Sequence, residues 1–348
     1  MRTLTYAQAI SEALVLGMKE NSKVFITGIG VDYPVGVFGT TKEAFDEFGG
    51  TRVFDSPSME NALTGICIGA ASMEMRPVLV HHRNDFMFLA FDQMLNLAAK
   101  WRYMYGGNAG QVPIVVRGII GRGWGQGATH SQSLQSPIAH FPGIAVLMPA
   151  MPADAKGLIL SALKSKSPVV ILEHRSLFDI TGEVPEGYYE TPIGKANVLR
   201  SGTDISVVCT SYMVIEAMRA AEFLSRFGIS VEVVDIRSIR PIDENTIINS
   251  VMKTGRLIVA DTSWVQYGVT SEVSALVAEK AFGYLKAPVV RIGLPDSPAP
   301  STKVLEDVFY PSANSLQKAI TRALGIAEIT TTLTPEIDNF KGPYEVKF

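Results

Sequence analysis

Three short stretches of the sequence carry side chains that could exchange protons or hold a negatively charged ligand. Glu60 follows Ser58 in the stretch DSPSMENAL, just before a run of small residues. His130 follows a glycine-rich stretch, in ATHSQS, and an HHR run occupies 81–83. A buried carboxyl group with a raised pKa, or an imidazole, can transfer protons near neutral pH. Charge-assisted hydrogen bonds from histidine and arginine would suit an anion.

Each stretch also has a structural explanation. Glu60 could be a helix N-terminal carboxylate that interacts with the helix dipole, His130 could serve packing, and the run at 81–83 could be a solvated loop. No familiar catalytic motif decides between these interpretations. The sequence has no P-loop, no GxGxxG between a strand and a helix, no GxSxG and no HExxH. The residues alone therefore leave the chemistry open.

Alternating apolar segments would position these residues. Strand patterns such as VFITGIG and RPVLVHH alternate with helical patterns such as 5–20, which predicts parallel sheets flanked by helices. The pattern breaks in DITGEVPEGYYETPIG, and a second alternating unit begins at DISVVCT. We therefore predict an α/β fold with two domains, each a mostly parallel sheet flanked by helices, over 1–185 and 186–325. A tail over 326–348 follows.

The composition excludes several classes of protein. The 348 residues are 47% hydrophobic and 19% charged, which favours a protein with extensive subunit interfaces. No apolar run is long enough for a membrane span, and a net charge of −3 without a basic stripe excludes nucleic acid as a partner. Cys67 and Cys209 lie too far apart in the sequence to indicate a metal site or a disulfide framework. With no targeting pattern at the start, a cytoplasmic location is expected.

The stretch DSPSMENALTGICIGAASMEMRPV, at 55–78, resembles a block in the beta subunits of thiamine-diphosphate-dependent 2-oxo-acid dehydrogenases, the decarboxylating components for pyruvate, branched-chain acids and acetoin. The likeness covers roughly 3–325 and implies a pyrimidine-binding, transketolase-like domain followed by a transketolase C-terminal-like domain. Many matches in register are more specific than one motif. The further matching stretches lie at 91–107, 112–118, 128–133, 140–163, 167–174, 235–243 and 263–269.

The resemblance implies an enzyme that works with a second polypeptide. In this family the coenzyme thiamine diphosphate is shared between subunits. The alpha subunit holds the diphosphate and its Mg²⁺ through a GDG motif, which this sequence lacks. The implied assembly is an alpha2beta2 heterotetramer with two active sites at subunit interfaces. Single-chain transketolase is disfavoured for the same reason.

The resemblance also implies roles for individual side chains. Glu60 matches the carboxyl group that keeps the far nitrogen of the coenzyme's aminopyrimidine ring protonated or hydrogen-bonded, so that this ring can act as a base. Phe86 matches the aromatic side chain that packs on the face of the ring, and Ser58 should lie along the same pocket. His130 matches a residue near the substrate carboxylate or the acyl-transfer path.

A structural potassium ion is common in these beta subunits. The resemblance assigns its ligands to the backbone carbonyl groups near Ile114, Ala162, Leu163 and Ser165. Ser165 and Ser167 stand where family members often carry Asp and Asn. A weaker ion site or a bound water is therefore an equal expectation.

Three features depart from the family pattern. Ile29 stands where family members have an acidic residue, which puts communication between the two active sites in doubt. The run at 81–83 replaces an apolar or aromatic segment, and we predict that His82 or Arg83 recognises a polar or anionic group of the substrate. The tail over 326–348 is longer than usual, which leaves docking to an acyltransferase core open.

The main prediction is a beta subunit that, with its alpha partner, decarboxylates a 2-oxo acid or cleaves acetoin and passes the acyl unit to a lipoyl domain. The alternative is a split, transketolase-like or non-oxidative enzyme of the same coenzyme. It would act on a ketose or a 2-oxo acid and transfer a two-carbon or acyl unit to an aldehyde or sugar without a lipoyl partner. A non-catalytic homologue is the third hypothesis, and the presence of Glu60 and His130 counts against it.

Overall fold

The computed structural model describes residues 2–33, 36–123, 125–329 and 332–334. The chain folds into two compact units, each made of two segments. The first unit consists of Met1–Ile120 and Pro137–Ile193, and the second of Gly121–Ser136 and Gly194–Phe348. The domain limits at 185 and 325 stay predictions.

The secondary-structure elements follow one another in the order of the chain. The strands are β1 (Arg2–Thr5), β2 (Val24–Gly28), β3 (Val53–Phe54), β4 (Arg76–His81), β5 (Val115–Ile120), β6 (Ala145–Leu147), β7 (Val169–His174), β8 (Thr181–Val184), β9 (Asn197–Arg200), β10 (Ile205–Cys209), β11 (Val231–Asp235), β12 (Ser238–Arg240), β13 (Leu257–Trp264) and β14 (Val290–Leu294). The helices are α1 (Tyr6–Glu20), α2 (Gly36–Gly39), α3 (Lys42–Phe48), α4 (Glu60–Ser72), α5 (Asn84–Met87), α6 (Trp101–Met104), α7 (Gln135–Ala139), α8 (Pro152–Lys164), α9 (Tyr212–Ser225), α10 (Glu244–Thr254), α11 (Val269–Lys280), α12 (Lys303–Phe309) and α13 (Ala313–Leu324). Short 3-10 helices cover Phe88–Ala90, Arg175–Leu177 and Phe282–Tyr284, and a π-helix covers Asp92–Ala98.

A parallel sheet forms the centre of the first unit. Within this unit β6, β7, β5, β4, β2 and β3 lie side by side in that order. Every residue of β5 and β7 is buried, as expected of strands that are covered on both faces. β1 and β8 form a separate antiparallel pair.

Helix α1 shows how the sequence specifies one of the covering layers. It begins with a capping box, in which Thr5 Oγ1 accepts from the Gln8 N–H (3.1 Å) and Gln8 Oε1 accepts from the Thr5 N–H (2.8 Å). Ala9, Ala13 and Gly17 lie on its buried face. A Cβ atom at Gly17 would come within 2.3 Å of Leu163 in α8, so glycine permits the close approach of these two helices.

The second unit has a sheet of its own, in the order β14, β13, β10, β11 and β9. Its strands are parallel except for β9, which pairs antiparallel with β11. Val208, Val234 and Val259 form part of its core. Helix α10 begins where the Asp243 side chain accepts from the Thr246 N–H (3.3 Å), and it ends at Gly255 with a left-handed φ of 72°. The predicted α/β fold with two mostly parallel sheets is confirmed.

The tail is described only in part, because 330–331 and 335–348 lie outside the described residues. Gln317 in α13 donates to the carbonyl group of Ile329 (2.8 Å), and Asn314 exchanges two hydrogen bonds with Leu333. The described part of the tail therefore packs along α13. Whether the tail affects docking to a partner stays a prediction.

The parallel strands of the first unit end at one common edge. In the register of the sheet, Gly28 pairs with Val80 near the end of β4, and Ile120 pairs with His174 at the end of β7. Open parallel sheets bind ligands outside the carboxyl ends of their strands. A ligand-binding site is therefore expected among the residues that follow β2, β4 and β7.

No helix among the described residues has both the length and the apolar character to span a bilayer.

Candidate active site

Glu60 is the first residue of α4, and its side chain is half-buried. Thr64 donates a hydrogen bond to its backbone carbonyl group (2.6 Å), while no ion pair or hydrogen bond engages its carboxylate among the described residues. A helix N-terminus stabilises a carboxylate, so the position agrees with the structural explanation too. An unengaged carboxylate in a half-buried place is also what proton exchange with a ligand requires.

The start of α4 is tied to the segment that follows β4. Asn61 Nδ2 donates to the carbonyl group of Leu89 (3.0 Å), and Gln93 Nε2 donates to Asn61 Oδ1 (3.4 Å). Phe86, earlier in that segment, exposes 39% of its surface, and Ser58 is exposed. Glu60, Ser58 and Phe86 all belong to the first unit, and their roles stay predictions.

A buried hydroxyl group that the sequence did not single out lies four residues before Glu60. Ser56 Oγ is buried and has no hydrogen-bond partner among the described residues. Asp55 Oδ1 accepts from the Gly30 N–H (2.6 Å), which joins the ends of β3 and β2. A buried polar atom without a partner costs free energy unless a ligand satisfies it. The 55–60 stretch thus has hydrogen-bond donors and acceptors that suit a ligand with a polar ring.

The HHR run at 81–83 is not a solvated loop. His81 and Arg83 are buried, at 4% and 6% exposure, and His82 is half-buried. The structural explanation for this run is therefore wrong. Its role in recognising the substrate remains a prediction.

His81 ends β4, and its side chain should make the protein sensitive to acid. Burial lowers the pKa of His81 to about 4, and its Nε2 atom has no partner among the described residues. The folded protein thus disfavours the protonated ring, whereas the unfolded chain protonates it near pH 6.5. The stabilisation is complete above pH 6.5 and is lost as the pH falls to 4, by about 3 kcal/mol in total.

We expect His81→Phe to remove this loss, which denaturant unfolding at pH 7.5 and pH 4.5 will measure. His140, which is exposed, gives the matched control His140→Phe. An equal loss of stability between the two pH values in wild type and His81→Phe would contradict the assignment.

Arg175 is a functional candidate that the sequence reasoning missed. It follows the last residue of β7, so it lies at the same sheet edge as His82. Phe38 contacts both: its ring centroid is 5.5 Å from that of His82 in an edge-on arrangement and 5.1 Å from the Arg175 guanidinium carbon. The signal that could have found Arg175 is a basic residue straight after a buried strand.

The basic side chains at this edge influence one another. Burial, followed by the charges of Arg83 and Arg175, lowers the pKa of His82. Burial and the charge of Arg83 lower the pKa of Arg175 to about 9, against an opposing effect of Asp179. At neutral pH His82 is therefore an uncharged hydrogen-bonding group, while the Arg175 guanidinium is positive.

His130 lies in the segment Gly121–Ser136, which packs with the second unit. The side chain is half-buried, and its Nδ1 atom is hydrogen-bonded with Thr129 Oγ1 (2.9 Å). Its catalytic role stays a prediction.

A buried polar network anchors the segment that carries His130. Gln135 Nε2 donates to both carboxylate oxygens of Asp261 (2.7 and 2.8 Å), and Thr210 Oγ1 donates to the same carboxylate (2.5 Å). Ser133 Oγ is hydrogen-bonded with Thr262 Oγ1 (2.9 Å). Asp261 is fully buried in β13, and burial raises its pKa against the effect of these donors. The carboxylate thereby holds 133–135 against the core of the second unit.

We expect Asp261→Asn to loosen this segment, because an amide presents only one acceptor oxygen to the donors. Hydrogen bonds to charged groups contribute about 1.5–3 kcal/mol each, so amide exchange in 125–135 should accelerate at least about tenfold. Hydrogen exchange with mass spectrometry will measure this. The double variant Asp261→Asn/Gln135→Glu restores a donor–acceptor pair and should slow the exchange again. Asp307→Asn, on an exposed ion pair with Lys303, is the control. Unchanged exchange in Asp261→Asn would contradict the anchoring role.

The carbonyl groups assigned to a potassium ion all accept hydrogen bonds within the chain. Arg76 Nη1 donates to those of Leu163 (2.7 Å) and Ser165 (2.9 Å), and those of Ile114 and Ala162 accept backbone N–H groups. The guanidinium brings a positive charge to this place, which disfavours a second cation beside it. The arrangement as it stands does not fit a potassium ion, and the ion stays an untested prediction. Groups of three or more His, Cys, Asp or Glu side chains suited to a metal ion are also absent from the described residues.

Comparisons with known proteins match both halves of the chain. The transketolase pyrimidine binding domain matches residues 2–180, and the transketolase C-terminal domain matches residues 194–316. Two curated relatives are each named acetoin:2,6-dichlorophenolindophenol oxidoreductase subunit beta. The one from Cupriavidus necator is 39% identical over 333 residues (93% of this chain, 98% of the relative), and the one from Bacillus subtilis is 40% identical over 336 residues, with the same coverage.

Another curated relative is a pyruvate dehydrogenase E1 component subunit beta from Staphylococcus aureus. It is 40% identical over 317 residues, which are 91% of this chain and 97% of the relative. A solved structure described as split gene transketolase, inactive beta4 tetramer, matches with a TM-score of 0.74 and 24% identity, over 93% of this chain and 99% of that chain. At this identity the structural match shows the fold alone.

Proposed function

This chain belongs to the family of transketolase-like dehydrogenase beta subunits, and from that membership we propose that it supplies the pyrimidine half of a thiamine-diphosphate-dependent active site. The observation that carries the proposal is the Glu60 carboxylate. It is half-buried, it is unengaged among the described residues, and it lies within the region that matches the pyrimidine binding domain.

The side chains around Glu60 suit an aminopyrimidine ring. The exposed face of Phe86 can stack on the ring, with a gain of about 1 kcal/mol. Ser56 offers a buried hydroxyl group, and Ser58 follows it by two residues in the sequence. Glu60 would hold a proton at the far nitrogen of the ring, while Phe86 fixes the orientation of the ring.

When bound, thiamine diphosphate supplies a nucleophilic carbon that can attack the carbonyl carbon of a 2-oxo acid. In this chain His130 is the group that we assign to the substrate carboxylate or to the acyl-transfer path. Its Nδ1 atom is hydrogen-bonded with Thr129 Oγ1, and an imidazole can exchange a proton near neutral pH. The network around Asp261 fixes the segment that carries it.

The proposal requires an alpha subunit. The curated relatives are named as beta subunits, and this sequence has no GDG motif to hold a diphosphate and Mg²⁺. We therefore assign the diphosphate and Mg²⁺ to the partner, in an alpha2beta2 assembly. The loss of the acidic residue at Ile29 concerns only the communication between its two sites.

The proposed reaction is decarboxylation of a 2-oxo acid, or cleavage of acetoin, with transfer of the acyl unit to a lipoyl domain. The names of the curated relatives support this reaction and not the split transketolase alternative. The solved structure of a split gene transketolase does not support the alternative, because a match at 24% identity shows the fold alone.

Co-expression with the candidate alpha subunit tests the proposal. The purified complex, with thiamine diphosphate and Mg²⁺, would be screened against 2-oxo acids, acetoin and ketoses, with and without a lipoyl domain. We expect turnover of a 2-oxo acid or acetoin, acylation of the lipoyl domain, and no turnover by either subunit alone. Turnover of ketoses with an aldehyde acceptor and no lipoyl acylation would overturn the proposal.

A further inference from the structure

The residues around His130 form a closed loop that belongs to the second unit. The Gly121 N–H donates to the carbonyl group of Gln132 (3.2 Å), so the two ends of 121–132 meet. Inside this stretch the His130 N–H donates to the carbonyl group of Gly127 (3.3 Å). Compact loops whose ends lie close together are frequently functional. Residues 121–132 are called the His130 loop.

Helix α12, also in the second unit, buries a charged residue and exposes its apolar ones. Its only buried residue is Glu306, at 1% exposure, whereas Val304 and Val308 expose 79% and 82% of their surface. Carboxylates are almost never buried without a partner, because withdrawal from water disfavours the charged form. Oε1 of Glu306 has no hydrogen-bond partner among the described residues. The burial of Glu306 therefore calls for a positive charge nearby.

Arg122 of the His130 loop supplies this charge. Its Nη1 atom lies 3.9 Å from Glu306 Oε2 and donates to the backbone carbonyl group of Glu306 (3.4 Å). Its guanidinium carbon lies 4.5 Å from the ring centroid of Tyr310, which directly follows α12. One arginine, whose side chain is 17% exposed, thus joins the loop to α12 by an ion pair, a hydrogen bond and a cation–π contact.

The middle of the His130 loop contacts the same part of the second unit. Gly127 has a left-handed φ of 68°, and a Cβ atom there would come within 2.3 Å of Ser301 Oγ. Ser301 lies two residues before the start of α12. The loop therefore meets the α12 region both at Arg122 and at Gly127, three residues before His130.

We propose that Glu306 is a positioning residue, which acts through Arg122 to hold His130 in its working place. The inference rests on the proposed function, in which His130 serves the substrate carboxylate or the acyl-transfer path. Gln135 already fixes the chain just after the loop to Asp261, and Arg122 fixes the start of the loop. A misplacement of about 1 Å can cost a factor of about 10² in rate, so a residue away from the substrate can affect turnover.

Steady-state kinetics of the reconstituted complex tests the inference with Glu306→Gln, which keeps the size of the side chain and removes its charge. We expect kcat for acylation of the lipoyl domain to fall about 10–100-fold. Arg122→Met should show the same loss, and the double variant should lose no more than either single variant, because the two residues act as a pair. Arg122→Lys should keep part of the activity. The control is Asp307→Asn, on an exposed ion pair of the same helix, which should equal the wild type.

The His130→Ala background distinguishes positioning from a general loss of structure. If Glu306 acts by placing His130, adding Glu306→Gln to His130→Ala should lower kcat by less than about twofold further. The same test with Arg122→Met covers the case in which Glu306→Gln does not fold. An unchanged kcat in both folded variants, or a further loss in the His130→Ala background equal to that in the wild-type background, would overturn the inference.

Hydrogen exchange separates this inference from the proposed function, because it needs no turnover. Amides in the His130 loop should exchange at least about tenfold faster in Arg122→Met and Glu306→Gln than in the wild type, and no faster in Asp307→Asn. If no 2-oxo acid or acetoin is turned over but exchange still accelerates, the proposed function fails and the hold of α12 on the loop stands. If exchange in the loop is unchanged in both variants, the inference fails whatever the enzyme turns over.

Discussion

Replacing Glu60 by glutamine should lower kcat of the reconstituted complex by a factor of about 10²–10⁴ while leaving the complex assembled. The amide keeps the size and a hydrogen bond of the carboxyl group, but it cannot exchange a proton with the ring. Because the Glu60 carboxylate has no ion pair or hydrogen bond among the described residues, the substitution removes no contact that stabilises the fold.

The measurement is turnover at saturating thiamine diphosphate, together with size-exclusion chromatography of the complex. Glu74→Gln is the matched control, because Glu74 lies just beyond the other end of α4, is exposed and pairs with Lys23. We expect its turnover to equal that of the wild type. Turnover within threefold of the wild type in Glu60→Gln would refute the assignment of the acid. Glu60→Ala should show the same loss.

The second large effect concerns stability. Arg117 and Glu173 form a bidentate ion pair between β5 and β7, and each side chain is 1% exposed. Removing one charge of such a pair leaves the other buried without compensation, which costs about 3–5 kcal/mol. We therefore expect Glu173→Gln to lower the free energy of unfolding by that amount, as measured by urea denaturation.

The double variant Arg117→Met/Glu173→Leu provides the comparison, because it removes both charges and fills the space with apolar atoms. It should be more stable than Glu173→Gln, since replacing a whole buried pair is often close to neutral. In the double variant Thr40 Oγ1 loses the hydrogen bond from Arg117 Nη2, so we expect the stability to return only in part to the wild-type value. If the free energy of unfolding of Glu173→Gln lay within about 1 kcal/mol of the wild-type value, the buried pair would not stabilise the fold as proposed.

The strand–helix alternation was enough to predict the fold, because parallel strands buried on both faces have a continuous apolar signature. VPIVVRG and SPVVILEH became β5 and β7, the two fully buried strands of the first unit. Arg117 and Glu173 interrupt these runs, and only the structure shows that they neutralise each other. The excursion of Gly121–Ser136 into the second unit has no local signature, because packing between distant segments decides it.

The candidate site was predictable only where a motif carried it. Glu60 stands in a block of many matching residues, whereas Arg175 belongs to no motif and becomes a candidate through the sheet register that brings the ends of β4 and β7 to one edge. Phe38 contributes through a strained turn that propensity argues against. The sequence also could not predict that the run at 81–83 is buried, because charged residues are typical of a surface. The sequence could not predict that Arg76 donates to the carbonyl groups of Leu163 and Ser165. These tertiary hydrogen bonds bring a positive charge that disfavours a potassium ion there.

A crystal structure of the reconstituted complex with thiamine diphosphate and Mg²⁺ tests the central claim most directly. The account predicts the far nitrogen of the aminopyrimidine ring within about 3 Å of a Glu60 carboxylate oxygen, with the diphosphate and Mg²⁺ held by the partner. A ring bound elsewhere, or a diphosphate held by this chain alone, would contradict it.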